Sequence, residues 1–438
     1  MDLTIAKFGG TSMGSAEAIS KVADVVTGIE GRKAVVVSAT SGTTDALLNL
    51  GQSALKNNGW EKDLKELIER HDDIISELEV ELDLDVFWRN TRNLLEGISL
   101  MGDISESAED RLVTVGERVS SSILAALLRL RGLESEMMDA FDFIFTDNNF
   151  GEANVDFEKT NKAVRRDVGS FLEDGMVPVI TGFTGQSEDG RYTTLGRGGS
   201  DYTAAIVGVA LDCTEVQIWT DVDGVFNTDP RLVDSAAVLD QLSFNEAGEL
   251  AYFGAKVLHP KTIKPAVEKD IPVRILNTFN PSAKGTLITS EEADSLKSVT
   301  AKKGITIVNI CSMGMLLAHG FMEKIFKVFA DNNVIVDVVS TSEVSVSVTV
   351  EGNVPEVVIQ KLSEFANVNI YDGMAIVCLV GSGIRSETRV LGEMFTAVAD
   401  HDVSMVSVGA SRRNVTFLVK ENEVSEVVTK VFNTFFNK

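Results

Sequence analysis

Residues Phe326 to Val350, FKVFADNNVIVDVVSTSEVSVSVTV, align without a gap on Phe395 to Val419, FTAVADHDVSMVSVGASRRNVTFLV. Phe326 falls on Phe395, Ala330 on Ala399, Asp331 on Asp400, Val334 on Val403 and Val348 on Phe417. A repeat of this kind means that one supersecondary unit occurs twice and that each copy needs a neighbour to bury its apolar face. Each copy reads strand, helix, two strands, helix. The first adds a closing strand at Asn367 to Tyr371, whereas the second stops after its helix, Glu423 to Phe436. Incomplete copies can interlock.

The other end of the chain carries a different signal. After the short apolar entry Leu3 to Ala6 comes KFGGTSMGS, Lys7 to Ser15, which reads as a strand, two adjacent glycines and a helix from Ser15. Such a turn can present backbone N–H groups to an anion, with Lys7 as a cation at its edge. By residue type alone it is equally an ordinary strand-to-helix turn. A second glycine-rich stretch downstream, TTLGRGGSDYTAA (Thr193 to Ala205), sits between a strand and a helix beginning near Tyr202. Arg197 there can hold a carboxylate or phosphate through two parallel bonds. Asp201 can cap the helix or orient an ammonium group. Two such loops imply two anionic moieties.

Composition narrows the partners. A net charge of −25 argues against nucleic acid and anionic membrane, which need clustered lysine and arginine. A protein this acidic that binds anions must concentrate its cations locally, and Lys7, Arg197, Arg231 and Lys256 are the candidates. Apolar runs stop well short of a bilayer span, and the N-terminus shows no secretory pattern. Cys213, Cys311 and Cys378 are isolated and odd in number, which fits a reducing cytoplasm.

Between the glycine-rich turns the chain alternates strands and helices. AVVVS ends at Ser38 and enters SATSGTTDALLNL, where Ser38 and Thr44 are by type turn or capping hydroxyls. Trp60 to Gly102 is charged and helix-patterned, a helical cap or pairing surface without evident chemistry, and His71 within it is expected to be exposed. TVGERVSSSILAALLRLRG (Thr114 to Gly132) reads as an amphipathic helix with Glu117 in its first turn, where the helix dipole alone favours an acid. A strand near Glu136 to Asp139, a turn-rich loop FTDNNFGEANVDF, a helix Asp156 to Leu172 and the strand MVPVITGFTG follow. Alternation through Ile218 predicts a layered α/β domain whose ligands bind at strand carboxyl ends. GSGIRS, Gly381 to Ser386, lacks the third glycine of a dinucleotide turn, and no GK dipeptide marks a P-loop. The four histidines are scattered, without the spacing of a metal site.

KFGGTS, GRGGSD, TDVDGVFNTDPR (Thr220 to Arg231) and GAKVLHP (Gly254 to Pro260) together closely resemble the aspartate kinases of the amino acid kinase family, and the resemblance runs the length of the chain. It implies a three-layer αβα sandwich on a mostly parallel sheet over residues 1–295, followed by two ACT regulatory domains of βαββαβ type at 303–372 and 373–438. The implied reaction carries the γ-phosphoryl group of ATP to the side-chain carboxylate of L-aspartate, with Mg²⁺ held mainly by phosphates. Lys7 and Asp201 are the implied catalytic residues. Lys7, Gly9, Gly10, Thr220, Asp221, Phe226, Arg231, Lys256 and Val257 would meet the nucleotide; Phe226 stands where many relatives have tyrosine, keeping the ring but losing its hydroxyl. Ser38, Thr44, Glu117, Phe183, Arg197, Gly198, Gly199, Ser200 and Asp201 would meet aspartate, Glu117 on its amine and Arg197 on its α-carboxylate. By type Phe183 is merely apolar, and His259 is structural.

In the first repeat, Met315, Ala318, Phe321, Met322, Val336, Asp337, Thr341, Ser342 and Glu343 resemble the effector site of lysine-inhibited relatives, with Asp337 and Glu343 suited to an ammonium group. By spacing, SEVSVSV is simply an alternating strand with a polar face. A homodimer or tetramer through the ACT domains is implied. The chain ends soon after the repeats, so no fused homoserine dehydrogenase is expected. A catalytically silent amino-acid sensor and a kinase for glutamate or acetylglutamate are the competing readings; the intact cradle disfavours the first, and the paired repeats with GRGGSD disfavour the second.

Overall fold

The computed structural model describes residues 2–254, 260–293, 295–316, 319–382, 384 and 388–437. By contact the chain divides into two units. One comprises Met1–Val225, Asp240–Phe244 and Val257–Ser290, and the other Phe226–Leu239, Asn245–Lys256 and Glu291–Lys438.

In chain order the first stretch runs β1 (Leu3–Phe8), α1 (Ala16–Gly28), β2 (Arg32–Val37), α2 (Thr43–Leu55), α3 (Trp60–Glu77), α4 (Asp85–Met101), α5 (Glu106–Val113), α6 (Val115–Leu130), β3 (Ser135–Met138), α7 (Phe157–Glu173) and β4 (Val177–Thr181). It continues through β5 (Thr184–Gln186), β6 (Tyr192–Thr194), α8 (Gly199–Ala210), β7 (Glu215–Thr220), β8 (Gln241–Ser243), α9 (Phe244–Tyr252), α10 (Pro260–Glu268), β9 (Val273–Asn277) and β10 (Thr286–Thr289). Eight of these strands form one sheet in the order β3-β4-β2-β1-β7-β9-β10-β8, parallel except where β10 meets β9. Alternation along β1 sends Ala6 and Phe8 into the core shared with α1 to α4 and α6. Ile5 faces the other side, where α8 packs so closely that a Cβ on Gly208 would meet Ile5 Cγ1 at 3.5 Å and Val216 Cγ2 at 3.0 Å. Helix starts follow their caps: Ser15 Oγ accepts from the Ala18 amide, and Asp156 Oδ1 from that of Lys159.

Two expectations are corrected here. The helix expected to be amphipathic over Thr114–Gly132 is α6, and from Val115 to Leu128 every residue but Arg118 is buried, because β2 to β4 lie on one side and α1, α2, α4 and α5 on others. Its serines tolerate burial by donating to backbone carbonyls, Ser121 to Glu117 at 2.7 Å and Ser122 to Arg118 at 2.8 Å. His71, expected on the surface, is fully buried in α3.

In the second unit, β11 (Leu296–Cys311), α11 (Phe321–Ala330), β12 (Val339–Thr341), β13 (Ser345–Glu351), α12 (Glu356–Ser363), β14 (Asn367–Gly381), α13 (Thr388–Ala397), β15 (Met405–Val408), β16 (Asn414–Lys420) and α14 (Val424–Phe436) follow one another. Their six strands form one antiparallel sheet, β12-β13-β11-β14-β16-β15. The repeated sequence is visible in it: Val348 on β13 and its counterpart Phe417 on β16 are each fully buried, one in each of two separate cores. The stretch that looked like linker, Glu291 to Lys297, already enters β11 at Leu296. The first half of β11 pairs with Ile376–Gly381, supplying the second copy with the closing strand its own sequence lacks. The second half pairs with Asn367–Tyr371 and completes the first copy. Val233, from the Phe226–Leu239 segment, packs into the second copy's core.

Candidate active site

Every residue that lines the cleft described below belongs to the first unit. β1 ends by delivering Lys7, and the chain then turns at Gly9 and Gly10, whose carbonyls both accept from the Met13 amide at 3.1 Å. β6 leads into Gly196 and Arg197, and Gly198, at φ 72°, starts α8. That left-handed conformation favours glycine, and the turn is closed by the Gly199 amide donating to the Gly196 carbonyl at 3.0 Å. Lys7 Nζ lies 2.6 Å from Asp201 Oδ1 in the first turn of α8, so the two glycine-rich turns are joined by an ion pair.

Lys7, Gly10, Thr11, Ser38, Thr44, Glu117, Phe183 and the run Gly196–Ser200 line one cleft of about 730 Å³. The structure thus brings together most of the residues expected for the acceptor. Ser38 Oγ donates to Ser200 Oγ at 3.0 Å, tying the second strand to the second glycine turn. Phe183 has φ 69°, a strained value for an aromatic residue, and its amide donates to Thr203 Oγ1 at 3.0 Å. Arg197 lines the cleft, is exposed, and has no ion-pair partner among the described residues.

Glu117 is the most perturbed group in the cleft. Its Oε1 accepts from the Ala39 amide at 3.1 Å, and its Oε2 is buried with no partner among the described residues. Burial pushes its carboxyl up to about 8, against the weaker pull of the Ala39 amide and of Lys7. An orphaned acidic oxygen costs free energy unless a ligand's donor meets it.

Thr220 and Asp221 close β7, where Thr220 Oγ1 donates to Asp221 Oδ1 at 3.1 Å. Phe226 and Arg231 lie in the second unit, and the Arg231 guanidinium, largely exposed, is held by Asp229 at 2.8 Å. Lys256, Val257 and Ala318 fall outside the described residues. Of the other expected effector residues, Met315, Phe321 and Val336 are half-buried, Met322, Thr341, Ser342 and Glu343 are exposed, and Asp337 is already engaged by Tyr252 Oη at 2.6 Å and Lys302 Nζ at 3.3 Å.

Sequence reasoning missed several residues of the site. Thr40, Ser41, Gly42, Asp45, Gly151 and Gly196 also line the cleft. Asp110, on α5, is buried beneath it and accepts from the Gly151 amide at 2.9 Å and from the Thr194 amide and hydroxyl at 2.9 Å each. It thereby fastens the loop over the site to the strand that feeds the second glycine turn. Nothing in ESAEDRLV signals this; the hydroxyl-rich SATSGTTD run was the available hint for Thr40 to Asp45.

A mostly parallel sheet with glycine turns at its strand ends, joined by a lysine–aspartate pair, and a second sheet built from two copies of one motif are together the organisation of a small-molecule kinase with a regulatory module, and the comparisons with known proteins place the chain in that class. Accordingly, the model of the amino acid kinase family matches residues 2–277, and that of the ACT domain matches 308–364 and 377–435. Aspartokinase 1 of Arabidopsis thaliana is 37% identical over 99% of this chain and 80% of its own length. Lysine-sensitive aspartokinase 3 of Escherichia coli is 33% identical over 99% of both chains. The crystal structure of E. coli aspartokinase III with aspartate and ADP superposes with a TM-score of 0.86 at 32% identity, covering 99% of this chain and all of that one. The chain belongs to the aspartokinases.

Proposed function

We propose that the cleft binds L-aspartate and that Lys7 and the first glycine turn align the γ-phosphoryl group of ATP against its β-carboxylate. The observation that carries this reading is the orphaned Glu117 Oε2 in a cleft also lined by Arg197: one side chain suits the ammonium group and the other the α-carboxylate of the same amino acid. A β-carboxylate oxygen attacks phosphorus as the bond to the ADP oxygen breaks, giving 4-phospho-L-aspartate and ADP. A carboxylate with a pKa of about 4 is already ionised, so no proton moves and no general base is needed. Catalysis rests on alignment and on charge: Lys7 and the amides of the first glycine turn beyond Gly9, whose own amide already donates to the Trp219 carbonyl at 3.3 Å, meet the transferring group, while Asp201 fixes the ammonium of Lys7.

Mg²⁺ would arrive on the nucleotide and neutralise charge between its phosphates. Among the described residues no three His, Cys, Asp or Glu side chains cluster as a metal cage. The paired ACT copies suit feedback by an amino acid, lysine first, since the lysine-sensitive E. coli enzyme matches end to end and its structure with lysine and aspartate superposes with a TM-score of 0.85. β12, exposed along its length at the sheet edge, suits pairing with a second copy as a homodimer or higher assembly. No helix among the described residues is long and apolar enough to cross a membrane. We place the enzyme in the cytoplasm on its three unpaired cysteines, which suit a reducing compartment.

The test is ADP release from Mg·ATP with L-aspartate, then with glutamate, then with lysine and threonine added separately and together. Turnover on aspartate alone that falls with lysine supports the reading. Lysine binding without turnover would favour a silent sensor.

A further inference from the structure

A polar cluster behind the cleft is not used by the reaction above. Arg70 and His71, neighbours on α3, both reach the turn that forms one wall of the cleft. Thr40 Oγ1 lies 3.0 Å from His71 Nε2 and 2.9 Å from Arg70 Nη2, and Thr43 Oγ1 bonds both Thr40 Oγ1 and Arg70 Nη2. All four residues are buried or half-buried, and Trp88 of α4 stands against the imidazole at 5.3 Å between ring centroids.

The donors in this cluster can be assigned. His71 Nδ1 lies 2.8 Å from the Leu67 carbonyl, which can only accept, so Nδ1 carries the proton and Nε2 is an acceptor. The Thr40 hydroxyl must then donate to Nε2, which leaves its oxygen free to accept from Arg70 and from the Thr43 hydroxyl. Burial, and then the Arg70 charge, pull the imidazole down to about 4, consistent with the neutral ring this scheme requires. Each hydroxyl proton is used once, and the turn is closed by the Thr43 amide donating to the Thr40 carbonyl at 3.0 Å.

The same turn touches the site at both of its ends. Ala39, just before it, donates its amide to Glu117 Oε1, and Thr44, just after it, lines the cleft. From this geometry we infer that Arg70 and His71 are positioning residues for the acceptor: they lock the 39–44 wall, and through the Ala39 amide the Glu117 carboxylate, in the arrangement that receives aspartate. The inference rests on the proposed kinase reading for the identity of the acceptor, but not for the locking itself.

Arg70→Met removes the guanidinium at this partly buried position while keeping an unbranched apolar stem, and Arg70→Lys keeps a cation there. In Arg70→Met, KM for aspartate should rise about tenfold while KM for Mg·ATP stays near that of the parent, since small displacements of a binding wall act on the group it holds. Arg70→Lys should recover most of the loss, and His71→Leu should shift the same constant the same way. Amide hydrogen exchange across residues 40–46 should accelerate in Arg70→Met and not across α1. An unchanged KM for aspartate, or a rise in both constants in step with a lowered Tm, would overturn the inference. If the parent does not turn over aspartate, the kinase reading falls by itself, and the exchange comparison still decides whether these residues lock the wall.

Discussion

Lys7 Nζ and Asp201 Oδ1, separated by 2.6 Å, join two turns that lie almost two hundred residues apart in sequence, and each side chain is only about one-eighth exposed. The pair fixes the lysine's direction before any nucleotide arrives, which spares the ordering cost at the moment of transfer. Lys7→Ala should therefore lower kcat by about a hundredfold or more, the scale on which a single preorganised donor acts. Asp201→Asn should cost less, because the cation remains but is no longer aimed. Single-turnover rates at saturating Mg·ATP check both, and a near-normal rate in Lys7→Ala would remove that lysine from the mechanism.

The raised pKa of Glu117 gives aspartate binding a definite pH dependence. Protonated below about 8, the carboxyl must lose its proton to meet a substrate ammonium group, so binding expels a proton and strengthens as pH rises, then levels above that value. The fold responds in the opposite sense: between about 4.5 and 8 the unfolded carboxyl ionises while the buried one stays protonated, so stability falls with rising pH across that window. KM for aspartate measured between about pH 6 and 9 should fall by nearly tenfold per unit on the acid side. Glu117→Gln should bind weakly and lose that slope; a slope that survives in Glu117→Gln would assign it to another group.

What could be read from residues and what could not divides along physical lines. The two glycine turns, with Lys7 and Asp201 in them, and the gapless repeat are patterns of contiguous residues that strand–turn–helix grammar exposes, whereas the pairing of Lys7 with Asp201 is not. His71 was misjudged because histidine type suggests a wet surface. Its place on the stripe Leu64, Leu67, His71, Ile74, at spacings of three and four, was a legible sign of burial, and its three neighbours on that stripe are indeed buried with it. Asp110 gave no such sign, since its partners come from Gly151 and Thr194, and pairing across the chain leaves no trace in a single sequence. The strand that closes the second copy was hidden for the same reason, because it precedes the first copy.

Gly182 follows β4 directly, and a Cβ there would lie 2.5 Å from Ser200 Oγ and 2.8 Å from the Val37 carbonyl oxygen. Neither neighbour can retreat cheaply: Val37 ends a central strand, and Ser200 is held in α8 and bonded to Ser38. Gly182→Ala should destabilise the fold by about 1–3 kcal/mol through overpacking and also raise KM for aspartate, because Ser200 lines the cleft. Urea unfolding alongside steady-state kinetics checks the pair of effects, and a stable variant with normal KM would mean that the turn yields freely.

Asp337 presents a sharper case, since the carboxylate proposed to meet an effector's ammonium is only 5% exposed and is already shared by Tyr252 Oη and Lys302 Nζ. An ammonium ligand at this carboxylate would have to displace one of these donors, and that displacement weakens the apparent affinity by whatever the lost bond contributes. Tyr252→Phe removes the neutral donor while leaving Lys302 to balance the charge. If Asp337 belongs to the lysine site, the variant should be inhibited at a lower lysine concentration, by about the three- to tenfold that a bond of about 1 kcal/mol represents, with a modest loss in Tm. If it does not, Tm should fall and the inhibition curve should stay where it was, leaving the Tyr252–Asp337–Lys302 cluster as a strut within its own unit. Lysine inhibition curves for parent and variant at one fixed aspartate concentration separate these outcomes, because the strut alone has no reason to move them.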